Sequence, residues 1–217
     1  MTKKKDPWDL LYRHLAQEEN KKQLDWKSTG RVFPSSAGTN CELKLKYDYL
    51  GTDKKKDFIW WGCENKIGNA VHDWLQSNFI QKFGESVEVE KWVNYKIGEV
   101  KINGKLDILL YKKKVIEIKT VKIEEGKKLK REHVMQLHWY MGVLGLTEGY
   151  ISYFGRENGI HIKTFKVDFD QKMFDHIVRK FSRIINNAKD LRPDTRECKF
   201  CPYSYKCPSA KITPRWS

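Results

Sequence analysis

Apolar positions recur with a helical period between Ile59 and Phe83, where Trp60, Ile67, Val71, Trp74 and Leu75 fall near one face. The pattern predicts a helix over that span, with Gly84 ending it. A shorter helix is predicted up to about Leu50: Ser35 or Ser36 can cap its start, and Gly51 suits its end. The first fifty residues as a whole read as helical, broken near Gly30–Pro34. In the centre the period changes to two. Ser86–Tyr95 and Ile97–Ile102 alternate polar and apolar residues, and Asn103-Gly104 reads as a turn. Strands are then predicted over Lys105–Tyr111 and Val115–Thr120, around a basic turn at Lys112–Lys114. A helix from Arg131 to Gly145 follows, then strands Tyr150–Phe154 and His161–Val167 and a last helix, Asp170 to Ala188. This order predicts an α/β or α+β domain. No internal repeat or low-complexity linker interrupts it.

A chain of 217 residues suits one well-filled domain with at most a small appendage, and a 40% hydrophobic fraction argues against wholesale disorder. No window approaches an uninterrupted apolar membrane span, and Met1–Asp6 lacks the apolar core of a secretory signal. A soluble, cytoplasmic protein is therefore expected. The formal net charge of +14 would draw a polyanion, since each neutralised phosphate releases a counterion. A solvated basic surface with no partner is the plainer alternative. The runs Lys54, Lys55, Lys56 and Lys112, Lys113, Lys114, with Lys127–Arg131, are candidate phosphate contacts. Trp60, Trp61 and Trp139 are candidate stacking partners for unpaired bases, although a tryptophan near a helix centre is more often core. No P-loop motif is present, so any helicase would be a separate partner.

The most informative stretch runs from Gly104 through Asp107 to Glu117-Ile118-Lys119. In a strand, Glu117 and Lys119 share one face. A hairpin centred on Lys112 sets Asp107 opposite Glu117, with Cβ atoms about 4.5–5.5 Å apart. Facing carboxylates repel unless a cation stands between them, and Mg²⁺ favours one or two carboxylates plus water and phosphate. Lys119 could then orient or deprotonate a water and offset phosphate charge. Taken alone, the same residues could be ordinary surface charges. His72, four residues after Gly68, can supply a neutral nitrogen ligand, and Gly68 permits close backbone approach. Gln136 and Tyr140 share a helix face and could hold a phosphate or steady Lys119, or could simply belong to an amphipathic helix.

Five cysteines occur, and without a secretory signal a disulfide framework is the poorer reading. Cys198, Cys201 and Cys207 leave one vacancy in a four-thiolate site, which Cys41 fills naturally. Thiolates favour an iron–sulfur cluster or zinc, and the ligand set separates those two poorly. Cys63 is left over as a small buried hydrophobe.

The ordered set Cys41, Gly68-x3-His72, Gly104-x2-Asp107, Glu117-Ile118-Lys119, Gln136-x3-Tyr140 and Cys198-x2-Cys201-x5-Cys207 resembles RecB-type PD-(D/E)xK nucleases with an iron–sulfur cluster. In particular it looks like the CRISPR-associated Cas-four family and its viral relatives, over Ser35 to Cys207. The resemblance implies a restriction-endonuclease-like α/β core, a central mixed sheet flanked by helices, over 58–188. It implies a helical cluster-binding region built from 1–57 and 189–217. It further implies Mg²⁺ or Mn²⁺ on His72, Asp107, Glu117 and the carbonyl of Ile118, with Lys119 as the catalytic lysine and Gln136 and Tyr140 assisting. A 4Fe–4S cluster on Cys41, Cys198, Cys201 and Cys207 is implied, with zinc as the lesser occupant. So is cleavage of DNA with exposed single strands or ends, in a host cytoplasm or an infected cell. Partners in CRISPR adaptation, recombination or repair would go with it. The residues before Asp107 are Gly-Lys-Leu rather than a proline, a departure that removes no ligand. The rival readings are a DNA-binding adaptor with a structural cysteine site and little cleavage, and a zinc-stapled interaction module.

Overall fold

The computed structural model describes residues 14–15, 17–18, 21, 29–55, 62–156 and 158–210. Its sheet has the order β1 (Val87–Ile97), β2 (Val100–Leu110), β3 (Lys114–Val121), β4 (Glu148–Gly155) and β5 (His161–Asp168). β3 and β4 pair in parallel and the other neighbours antiparallel. A parallel pair needs a crossover, here supplied by α3 (Arg131–Leu144). The other helices are α1 (Glu42–Tyr49), α2 (Gly62–Phe83) and α4 (Gln171–Ile185). The mixed sheet flanked by helices is the α/β architecture expected. Among the described residues, no helix is long and apolar enough to cross a membrane.

α3 and α4 cover one face of the sheet, where Leu137, Met141, Ile177 and Phe181 pack with Ile102, Leu106 and Ile151. α2 covers part of the other face, with Val71, Leu75, Phe79 and Phe83 against Ile108, Ile118 and Phe154. A third cluster, Leu45 with Ile184 and Leu191, ties α1 to α4 and the C-terminal segment.

The β1–β2 hairpin changes faces along its length. Residues two apart in a strand normally share a face. Yet Leu106 lies in the larger core and Ile108 in the smaller one, and on β1 Val93 and Val89 divide the same way. The exchange falls at Glu90, whose φ of +51° is left-handed. The hairpin thereby serves α2 at its base and α3–α4 at its tip. On the opposite face of the tip, Trp92, Asn94, Lys96, Lys101, Asn103 and Lys105 are exposed.

Several predicted boundaries move. Asn103-Gly104 is not a turn: both residues lie inside β2, and the hairpin turns after β1 at Gly98, with φ +56°. Tertiary packing overrides the turn dipeptide, because Gly104 sits where a Cβ would come within 2.5 Å of Pro34 Cγ and 2.9 Å of Tyr140 Cε1. The helix expected from Ser35 is a single short turn at Pro34–Ser36, and α1 starts only after Cys41. The buried face of α2 follows Val71, Leu75, Phe79 and Phe83, while Ile67 and Trp74 are exposed. Lys56, Trp60, Trp61 and the Cys63 side chain lie outside the described residues.

Candidate active site

β2 and β3 pair as Ile108 with Ile116, Leu109 with Val115 and Leu110 with Lys114, the register centred on Lys112. The ladder ends one step short of Asp107 and Glu117. There the Ile118 N–H donates to Asp107 Oδ2 at 2.7 Å, so a side chain takes over where backbone pairing stops. Asp107 and Glu117 are both buried, and Glu117 is 1% exposed.

Each carboxylate is half committed. Glu117 Oε1 accepts from Lys119 Nζ at 2.7 Å, whereas the buried Glu117 Oε2 has no partner among the described residues. Asp107 Oδ1 faces His72 Nδ1, on α2, at 3.4 Å. Gly68, one turn before His72, lets α2 approach β3: a Cβ there would stand 3.0 Å from the Thr120 hydroxyl. From α3, Gln136 Oε1 accepts from Lys119 Nζ at 2.9 Å, and the Tyr140 hydroxyl donates to the Lys105 carbonyl at 2.9 Å. Gln136 therefore aims Lys119, and Tyr140 braces β2 two residues before Asp107. His72, Asp107, Glu117, Ile118, Lys119, Gln136 and Tyr140 meet in one place.

Burial, reinforced by the charge of Asp107, raises the Glu117 carboxyl to about 7 despite Lys119 beside it. Burial alone would lower Lys119, but Glu117 and Asp107 outweigh it and hold the ammonium protonated. His72 follows the same balance: burial lowers it, while its contact with Asp107 and the charge of Glu117 raise it overall. Burial pushes the Tyr140 phenol far up, so it acts as a neutral donor. Among the described residues, no three His, Cys, Asp or Glu side chains already form a metal-holding group. Lys119 and the Ile118 amide occupy oxygens that a dication would otherwise take. The donors still fit a hard dication, since Glu117 Oε2 and Asp107 Oδ1 offer oxygen and His72 nitrogen.

Three residues around this point were not singled out in the sequence. Gln76, 5% exposed, donates to Glu90 Oε1 at 2.9 Å and to the Asp107 carbonyl at 3.3 Å. Its position one turn after His72 is a signal that could have found it. Glu90 also forms an ion pair with Lys105, and its placement depends on the left-handed kink, which the sequence does not announce. His133 bonds the Tyr153 hydroxyl at 2.8 Å, and burial followed by Lys119 and Lys130 lowers it to about 3, so it is neutral.

Other candidates lie away from this point. Lys112 and Lys113 occupy the exposed β2–β3 turn, five and four residues from Asp107 and Glu117, or roughly 15 Å along a strand. Lys114 pairs with Glu148 at 3.3 Å. Lys54 is partly buried, which lowers its pKa, and Lys55 is exposed in the segment after α1. Trp139 is fully buried among Tyr95, Phe174 and Phe181, so it is core and cannot stack on a base.

The four thiols gather elsewhere. Cys41, Cys198, Cys201 and Cys207 line one cavity together with Lys44 and Tyr47, and none of them forms a disulfide. Burial, with smaller contributions from Cys41 and Cys198, raises the Cys201 thiol. The segments bearing them are clasped independently of any ligand. The Glu42 N–H donates to the Arg192 carbonyl at 2.8 Å, and the Arg192 N–H returns to Glu42 Oε2 at 2.8 Å. Lys180, 6% exposed, donates to the carbonyls of Ala37 and Thr39 just before Cys41.

Comparison with curated protein sequences gave no match. Among solved structures, SSO0001 is similar over 93% of this chain and 98% of its own, with TM-score 0.66 and 22% identity. The alkaline exonuclease LHK-Exo from Laribacter hongkongensis is similar over 79% of this chain and 91% of its own, with TM-score 0.54 and 15% identity. Its complex with dAMP is similar over the same shares, with TM-score 0.55 and 16% identity. At these identities the likeness is one of fold. The sequence itself matches the PD-(D/E)XK nuclease superfamily over residues 72–208, which begins at His72 and spans every residue of the carboxylate site, and the chain belongs to that superfamily.

Proposed function

We propose that this protein is a Mg²⁺- or Mn²⁺-dependent deoxyribonuclease that hydrolyses phosphodiester bonds in exposed single strands or at DNA ends. The single observation that carries the reading is the pair of buried carboxylates with Glu117 Oε2 unpartnered beside Asp107 and His72. A buried acceptor of that kind is costly unless a cation or donor meets it. The exonuclease neighbours and the superfamily support DNA as the substrate.

Asp107 Oδ1, Glu117 Oε2, His72 and the Ile118 carbonyl would hold the dication. Bound there, the ion supplies Lewis acidity toward a phosphoryl oxygen and lowers the pKa of its water. The remaining work falls to the chain. Lys119 is held protonated and is already aimed by Gln136, so it donates to the attacking water or to a non-bridging oxygen and offsets charge there. It does not begin as a base. Tyr140 keeps β2, and with it Asp107, at fixed distance from α3.

In this reading residues 58–188 form the nuclease core, and 1–57 with 189–217 form a structural site for a 4Fe–4S cluster, zinc being the lesser candidate. What supports the second part is that four free thiols line one cavity. The catalytic part is tested by incubating labelled single-stranded and duplex DNA with the protein, with and without Mg²⁺ or Mn²⁺. Cleavage should require the ion and disappear in Lys119→Ala, whose circular dichroism should match the parent. Cleavage that persists in chelator, or unchanged in Lys119→Ala, would overturn the assignment.

A further inference from the structure

The open face at the tip of the β1–β2 hairpin carries a patterned surface. Three cross-strand pairs occupy it: Trp92 with Lys105, Asn94 with Asn103 and Lys96 with Lys101. All six side chains are exposed, while their strand neighbours Val93, Ile102 and Leu106 are buried in the α3–α4 core. Trp92 is 64% exposed, the most exposed large apolar side chain of the described residues. Lys105 Nζ stands over its ring, 5.9 Å from the centroid. Among the described residues no carboxylate pairs with Lys96 or Lys101, so the face is aromatic, amide and cationic. Trp92, held open on its strand with Lys105 over its ring, belongs to no core cluster of the described residues.

Its position gives the face a direction. Lys105 is two residues before Asp107 on β2, a rise of roughly 7 Å. Lys105 also pairs with Glu90, which joins Gln76 and so the Asp107 carbonyl. The face therefore ends two residues from Asp107 on the same strand. Α2 does not cover it, because the hairpin exchanges faces at Glu90.

We infer that the outer face of the hairpin tip is the track for an unpaired nucleic-acid strand entering the carboxylate site, with Trp92 stacking on a base and Lys96 and Lys101 meeting phosphates. The inference rests on the nuclease reading above and deepens it by locating the strand. An unpaired strand offers both features this face recognises, a bare base face and a phosphate at every step. Duplex DNA hides its base faces and would leave Trp92 without a partner.

The test is binding rather than cleavage. A fluorescein-labelled thymidine oligonucleotide of about fifteen nucleotides, within the usual footprint range, is titrated with the full chain in chelator and followed by anisotropy. Trp92→Ala should weaken binding by roughly five- to a hundredfold, with Trp92→Phe recovering most of it. The double variant Lys96→Ser, Lys101→Ser should flatten the dependence of log affinity on log salt by about 1.4. An oligonucleotide with abasic sites should bind parent and Trp92→Ala alike. Parent-like affinity in Trp92→Ala, with the same melting curve, would overturn the track, and so would a parent protein that binds no oligonucleotide. Self-association lost in Trp92→Ala would assign the face to a second copy instead and equally overturn it. The nuclease reading is judged separately, by metal-dependent cleavage and its loss in Lys119→Ala.

Discussion

The Ile118 N–H donates to Asp107 Oδ2 at 2.7 Å, so the carboxylate is tied to the strand opposite. The bond stands where the next rung of the β2–β3 ladder would be, and it leaves Oδ1 turned toward His72. Asp107 thus serves the fold with one oxygen and the site with the other.

Those two duties separate on substitution. Asp107→Asn keeps an acceptor for Ile118 and should melt near the parent temperature, yet bind Mn²⁺ far more weakly. Asp107→Ala strands the buried Ile118 N–H as well and should lose about 1–3 kcal/mol in chemical denaturation. Equal stability losses in the two variants would count against the tie.

Protonation of Glu117 sets a pH dependence with a definite sign. Its carboxyl is raised from 4.5 to about 7 in the folded chain, mainly by burial and then by Asp107. Between those values the folded state holds the extra proton, so stability of the metal-free protein falls as pH rises through the window. A dication must displace that proton, and also any on His72, so Mn²⁺ affinity should climb over the same range and level off above it. Calorimetric titrations across the window in two buffers would report the proton release. Glu117→Gln should flatten the stability slope, leaving the smaller share that His72 contributes, and a parent affinity independent of pH would contradict the argument.

Much of this site could be read from alternation alone. Placing Asp107 against Glu117 needs only a hairpin centre at Lys112, and Glu117 and Lys119 need only the strand period. The i, i+4 spacings likewise bring His72, Gln136 and Tyr140 inward from two helices. What stayed hidden depends on tertiary context. The Asn103-Gly104 dipeptide has the local chemistry of a turn, but packing against Pro34 and Tyr140 claims the glycine for a strand. Glu90 could not be foreseen, since it reaches Gln76 only through a left-handed residue inside a strand. For the same reason the amphipathic pattern of β1 does not identify Trp92 as open to solvent.

Gly104 offers a steric test of that packing. A Cβ at this position meets Pro34 Cγ at 2.5 Å and Tyr140 Cε1 at 2.9 Å, and the Tyr140 hydroxyl is bonded to the very next residue. Gly104→Ala should therefore cost about 1–3 kcal/mol by overpacking and reduce DNA cleavage with it. Tyr140→Phe removes the hydroxyl's bonds to Lys105 and Gln136 without overpacking the site, so its melting temperature should fall less than that of Gly104→Ala. A Gly104→Ala protein as stable and active as the parent would show that the ring moves freely, which the bond to Lys105 argues against.

The cysteine cavity makes the sharpest division between alternatives. Four thiols around one space gain little from each other as neutral groups, and burial already disfavours ionising Cys201. A thiophilic centre reverses that balance, because its charge favours the thiolates and its bonds join α1 to the C-terminal segment. Protein purified without oxygen should then be brown and contain iron and sulfide, and Cys201→Ser should lower both colour and melting temperature. Loss of the centre should not scatter the segments wholly, since Glu42 still bonds Arg192 twice, its N–H donating to the Arg192 carbonyl and its carboxylate accepting from the Arg192 N–H. Glu42→Ala should therefore destabilise even the metal-depleted protein, whereas Cys201→Ser should not destabilise that form further. Colourless protein carrying zinc would replace the cluster with a single ion. Cys201→Ser with full stability and nothing bound in the parent would leave the four cysteines as packing alone.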